Sequence, residues 1–188
     1  MDYKSGLKAP NRTLMHHGVQ QQLPAYLLAI TRMKEIATHF QVKKISAAGC
    51  FLLPLRAGQE RKKTRREALG GGENGGRYMH EGLFDVAHVR SLDAKAPDGM
   101  SGQFKYRLKM GGEPYGNTFN ALRSEEFAGI LRRSEELIRE FGRRIYEGDI
   151  AIRPYKQGKA TPCERCDYQP VCRFDPWTQK YNLLRAPE

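Results

Sequence analysis

Residues 162–175 read PCERCDYQPVCRFD, and the cysteines in that run, Cys163, Cys166 and Cys172, are spaced C-x2-C-x5-C. Two thiolates three residues apart can grip one metal centre from a single turn. A third, six residues further on, can close over the same centre after a tight loop. Cysteine thiolates are the usual ligands of iron–sulfur clusters, and a 4Fe–4S cluster takes about four of them. Zinc accepts a similar arrangement. The bland alternative is a chance gathering of free thiols. The remaining cysteine, Cys50, sits in AAGCFLLPL (47–55). It reads as a core thiol, because free cysteine is commonly buried. His16, His17, His39, His80 and His88 could complete a zinc site, but none has a sequence partner that marks it as a ligand.

The compartment decides how the thiols are read. No apolar run approaches the ~20 residues needed to span a bilayer. Met1 to Pro10 lacks the apolar segment of a signal peptide. The expectation is a cytoplasmic protein with no membrane partner, in which thiols stay reduced. The net charge is +11 and the hydrophobic content 39% over 188 residues. That suits one domain with a modest core. The basic surplus favours phosphate-bearing partners, because neutralised phosphates release condensed counterions.

Upstream of the cysteines, Ser124 to Glu147 predicts a helix. Phe127, Ile130, Leu131, Leu137, Ile138, Phe141 and Ile145 form one apolar stripe, read as core packing. Ser124 is the expected cap, and Gly148 the terminator. Gln103 to Met110 alternates apolar and basic residues, as in a half-buried strand with a basic outer face. Tyr78 to Leu92 is read as a turn at Glu81-Gly82 followed by a short helix. The basic run Arg61–Arg66 and the glycines of Gly70–Gly76 form a linker over 57–76. Lys44 to Leu55 reads as a strand buried on both faces. From about Val19 to Phe40 the apolar spacing is helical, with Pro24 tolerable only near a start or a bend. Lys8 to Thr13 reads as a loop.

Asp2 to Ser5 reads as the tail of a strand, and it carries Asp2-Tyr3-Lys4. Residues two apart on a strand point to the same face. An acid and a lysine so placed can share a metal and its water. The carboxylate suits a hard cation such as Mg2+, and the lysine can orient water or offset negative charge. Gln22 and Tyr26 are spaced i, i+4, which puts both on one helix face.

Ile145, then GDI (148–150), Pro154 and PCERCDYQPVCRFD together resemble the C-terminus of the B-type subunits of AddAB helicase–nucleases, whose nuclease domain is of the PD-(D/E)XK superfamily. DYKSG followed by QQQLPAYLLA (20–29) resembles that family's last catalytic strand and the helix after it, and Gln22 and Tyr26 match its Q-x3-Y pattern. The middle of the chain, AAGCFLLPL and then YMHEGLFDV (78–86), follows the family's order of strand, linker and Gly-Leu turn.

The resemblance implies an α/β fold, a mixed sheet with flanking helices. Residues 1–188 would then be the C-terminal half of the nuclease domain, with its first strands missing and a cysteine loop over 154–175. It implies that Cys163, Cys166 and Cys172 ligate a structural 4Fe–4S cluster whose fourth ligand lies upstream. It implies that Asp2 binds Mg2+, Lys4 assists the water, and Gln22 and Tyr26 support the site. The implied activity is Mg2+-dependent hydrolysis of DNA ends in double-strand-break repair, with a helicase–nuclease A-type subunit as partner. A complete site of this family needs a second acidic ligand on the preceding strand, so the chain is read as a fragment or misplaced start, as a degenerate remnant, or as one whose missing part another polypeptide supplies. Two alternatives stand beside it: a non-catalytic DNA-binding module with a zinc or iron–sulfur clasp, and a related CRISPR-adaptation or replication nuclease.

Overall fold

The fold is that of a computed structural model, which describes residues 1–5, 9–55, 64–65, 79–94, 104, 106, 108–109, 111–115 and 120–187. Strand β1 is Asp2–Lys4, followed by helices α1 (Arg12–His16), α2 (Gln22–Arg32) and α3 (Lys34–His39). Strands β2 (Gly49–Pro54) and β3 (Glu81–Asp85) come next, then a 3-10 turn over Val86–His88 and helix α4 (Val89–Leu92). Strand β4 (Ala121–Leu122) leads into the long helix α5 (Ser124–Tyr146). The C-terminal part holds β5 (Tyr155–Lys156), a 3-10 turn over Pro162–Arg165, α6 (Gln169–Cys172) and β6 (Asn182–Leu183).

Among the described residues, one sheet runs in the order β1-β2-β3-β4, and β5 pairs with β6 in a second. The larger sheet is mixed: β1 is parallel to β2, β2 antiparallel to β3, and β3 parallel to β4. Asp2 pairs with Leu52 and Lys4 with Pro54.

The period of two divides the apolar strands between two cores. Cys50, Leu52, Leu83 and Leu122 pack with Met15 of α1, Leu23 of α2 and Phe127 of α5. Their neighbours Phe51, Phe84 and Ala121 face the other way, against Val89, Phe104, Tyr106 and Leu108. Both faces of β2 are therefore covered, which is why its sequence is nearly continuous in apolar residues. Each Leu, Phe, Val or Met side chain buried in this way contributes about 1.5–3 kcal/mol.

Several sequence-based expectations need correcting. The Glu81-Gly82 pair is not a turn but the start of β3, with Gly82 buried. A Cβ at Gly82 would collide with the Cys50 carbonyl oxygen and the Phe51 ring, so glycine serves close strand approach here. The strand expected from Lys44 begins only at Gly49. The helix expected from Val19 to Phe40 is two helices broken at Met33, whose ψ of 111° is extended. The break follows the loss of burial, since Ile30, Met33 and Phe40 are exposed. Pro24 is the third residue of α2 and fully buried, where it removes an amide that would lack a partner. The loop expected over Lys8–Thr13 ends early, because the Asn11 side chain accepts the Leu14 N–H at 3.0 Å and caps α1.

Ser124 does not cap α5. Its hydroxyl donates to Asp85 Oδ1 at 2.8 Å, while Glu126 accepts the N–H of Arg123, the capping position, at 3.1 Å. The α5 stripe is core packing only in part: Phe127 and Leu137 are buried, but Ile138 and Ile145 are exposed. Phe104, Tyr106 and Leu108 are buried as the alternation predicts, yet Phe104 and Leu108 make only isolated bridges. Their basic neighbours Lys105 and Arg107 lie outside the described residues, as does the 57–76 linker apart from Thr64 and Arg65. No helix among the described residues is long and apolar enough to cross a membrane.

Candidate active site

Strand β1 and the first turn of α2 lie side by side, and their polar residues form one chain. Lys4 Nζ stands 2.6 Å from Asp2 Oδ2. It donates to Gln22 Oε1 at 2.7 Å. Gln22 Nε2 in turn donates to the Tyr26 hydroxyl at 3.0 Å. The structure thus brings together Asp2, Lys4, Gln22 and Tyr26, the residues singled out on β1 and α2 from sequence.

The local reasons are simple. The strand period sets Asp2 and Lys4 on one face. Pro24 and Leu23, both buried, seat the start of α2 against β2 and turn the i, i+4 pair Gln22 and Tyr26 outward. Tyr26 is 53% exposed, so it is not a core residue. Asp2 and Lys4 are mostly shielded, with side-chain exposures of 19% and 24%. Asp2 Oδ2 is buried and accepts no well-aligned hydrogen bond, so its contact with Lys4 is an ion pair by proximity. Such an oxygen suits a hard cation, although Asp2 supplies a single carboxylate.

Lys4 opens on a cleft of ≈ 210 Å³, which Gln20, Gln21 and Gln22 also line. Gln20 Oε1 accepts the Asn11 N–H at 2.8 Å, and Gln21 Nε2 donates to the Met15 carbonyl at 2.6 Å. Gln20 and Gln21 were missed from sequence. The unbroken polar run of Gln20–Gln22 at a helix start was the available signal.

The cysteines are not gathered in this way. Cys163 lies in the Pro162–Arg165 turn, where its N–H donates to Thr161 Oγ1 at 3.4 Å. Cys172 ends α6, and Cys166 lies between them, exposed. All three are free thiols, and among the described residues no group of three His, Cys, Asp or Glu side chains can hold a metal ion. As placed, the loop does not fit a metal centre. Cys50 is a buried thiol of the core, and burial pushes it up to about 11, well away from the thiolate form. His16 and His17 are edge-on neighbours, with His17 Nε2 2.9 Å from the Arg185 carbonyl oxygen.

The C-terminal segment is tied to the loop before α1. Asn11 and Gln157 exchange side-chain amide hydrogen bonds at 3.4 Å. Through Asn11 and Gln20, that tie reaches the rim of the Lys4 cleft.

The sequence is similar to the B-type subunit of the ATP-dependent helicase/deoxyribonuclease of Desulfitobacterium hafniense (strain DSM 10664 / DCB-2), with 27% identity over 99% of this chain and 17% of that protein. The proteins of the same name from Symbiobacterium thermophilum and Alkaliphilus metalliredigens are 29% and 28% identical, over 98% and 93% of the chain. The chain spans only 16% and 15% of the length of these two relatives. The profile of the PD-(D/E)XK nuclease superfamily matches residues 1–173, which include β1, α2, both sheet cores and all three clustered cysteines. The chain therefore belongs to the PD-(D/E)XK nuclease superfamily.

Proposed function

We propose that the chain carries part of the catalytic site of a Mg2+-dependent deoxyribonuclease. The observation that supports this reading is the continuous chain Asp2–Lys4–Gln22–Tyr26 beside an open cleft. A bound Mg2+ would lower the pKa of its water and offset charge on the scissile phosphate. Asp2 would hold the ion through the carboxylate that pairs with Lys4. Magnesium is often held by about one or two carboxylates with substrate phosphates completing the shell.

The chain's own residues then have separable roles. Lysine has about three N–H donors. Two of those of Lys4 face Asp2 and Gln22, which leaves one for the attacking water or a phosphoryl oxygen. Gln22 fixes the ammonium, and Tyr26 fixes the Gln22 amide so that its oxygen faces Lys4. A donor held in place costs no reorganisation when charge develops.

In this reading the substrate is linear DNA, the process is repair of double-strand breaks in the cytoplasm, and an A-type helicase–nuclease subunit is the partner. The relatives' designation as part of a helicase/deoxyribonuclease supports it. The test is Mg2+-dependent cleavage of linear DNA by the intact protein with its partner. Lys4→Ala should lower the rate on the order of 10²-fold or more. An unchanged rate would overturn the reading.

A second reading, a non-catalytic DNA-binding module, is favoured by the net charge of +11, which suits phosphate-bearing partners. It expects DNA binding without cleavage at any Mg2+ concentration. The 4Fe–4S cluster implied by resemblance would require Cys163, Cys166 and Cys172 to close together on a further ligand. Iron and acid-labile sulfide in anaerobically purified protein would support the cluster, and zinc would support the clasp.

A further inference from the structure

The end of α5 and the β5–β6 sheet frame a second cleft, of ≈ 430 Å³, lined by Arg144, Arg153, Lys180, Tyr181 and Asn182. It shares no lining residue with the Lys4 cleft. Asp149 organises its two guanidinium groups: Arg144 Nε donates to Asp149 Oδ2 at 2.8 Å, and an Arg153 terminal nitrogen lies 3.3 Å from the same oxygen. The Ala151 N–H and the Arg144 side chain hold the Asp149 carboxyl below its usual range, so it stays charged at neutral pH.

A guanidinium has about five N–H donors, and one carboxylate shared by two of them leaves outward donors on both. Lys180 is exposed and makes no ion pair among the described residues. Tyr181 also lines the cleft, and its ring is packed edge-on by Phe174 at 4.7 Å, with the Lys156 ammonium 5.4 Å from its centroid. Among the described residues lining the cleft, three cations thus stand against the one carboxylate, Asp149, that pairs with two of them. Planar, forked donors beside an exposed ammonium match the oxygens of a phosphate group.

We propose that this cleft is a phosphodiester-binding site, which grips the backbone of a DNA strand apart from the cleavage centre. The choice of DNA rests on the function proposed above. The phosphate chemistry rests on the cleft itself. The site would fix the strand's position without reading its sequence, as backbone contacts do.

The test is fluorescence anisotropy of labelled linear DNA with the intact protein, in EDTA so that no strand is cut, across a salt series. Lys180→Met removes a cation that holds no ion pair among the described residues. It should weaken binding several-fold and lower the slope of log affinity against log salt by about 1. Arg153→Met should do the same, with melting temperature confirming that the protein is folded. Lys34→Met, on exposed α3, is the charge-matched control. Slopes for both cleft variants that match the control would overturn the proposal, as would wild-type protein showing no salt-dependent DNA binding. Cleavage by Lys4→Ala is scored separately. If that variant cuts normally while Lys180→Met binds poorly, the catalytic reading falls and the cleft stands; the reverse pattern removes the cleft alone.

Discussion

At the scale of single residues, the side chain of Gln22 decides how Lys4 points. Removing it leaves the ammonium with Asp2 as its remaining partner in the chain. Gln22→Ala should therefore lower kcat roughly 10-fold to 100-fold with KM little changed, as expected for a positioning residue whose loss misplaces a catalytic group. Steady-state kinetics on linear DNA would check this, and a change confined to KM would assign Gln22 to binding instead. Cys50 offers a contrast. Its thiol is buried and its pKa raised to about 11, so it holds almost no thiolate at pH 8. Native, metal-free protein should be alkylated at Cys163, Cys166 and Cys172 and spared at Cys50 until it is denatured, a pattern that peptide mass spectrometry can read. The residue pairs were legible because spacing alone fixes a face: two along a strand, four along a helix. The Lys4–Gln22 bond was not, since nothing in a one-dimensional pattern states which helix start abuts which strand.

At the scale of elements, Gly82 is the position where sequence and structure part most sharply. Glycine after glutamate resembles a turn when only neighbours are considered, and the reason for it lies on the facing strand. The backbone of Cys50 and the ring of Phe51 occupy the space a Cβ would take. Gly82→Ala should cost about 3 kcal/mol, the upper end of ordinary overpacking penalties, measured as a shift in the urea midpoint. Gly129, whose Cβ would meet only an arginine tip at 3.9 Å, should accept alanine without loss. Helix α5 was legible almost to the residue because its stripe runs for many turns. The break at Met33 was not, because apolar spacing continues through it while the partner surface ends. The same limit explains Ile138 and Ile145: periodicity marks a face, and only the packed molecule says how far along that face a neighbour extends.

At the scale of the whole molecule, the two sheet faces form the stable centre, and the C-terminal segment is held more lightly. Among the described residues its ties include the Asn11–Gln157 amide pair, the His17 contact to Arg185, and a buried Leu184. The class of fold was legible because covered strands, an amphipathic helix and the resemblance agreed. The placing of the cysteine loop was not, because its C-x2-C-x5-C spacing led to the expectation of gathered thiols, and the described side chains are not gathered. Strand β1 carries Asp2 and Lys4, and it pairs in parallel with a strand that arrives only after three intervening helices. Closing so wide a loop must precede the contacts that reward it, so such pairings form late. During refolding, the Leu55 N–H, which donates to the Lys4 carbonyl at 2.8 Å, should gain protection from pulsed hydrogen exchange after the amides joining β2 and β3. Early protection of Leu55 would contradict that order. A chain still maturing would then possess a nucleus before its acid–lysine strand was seated, and the proposed capacity to cut would be postponed to a late stage of its own folding.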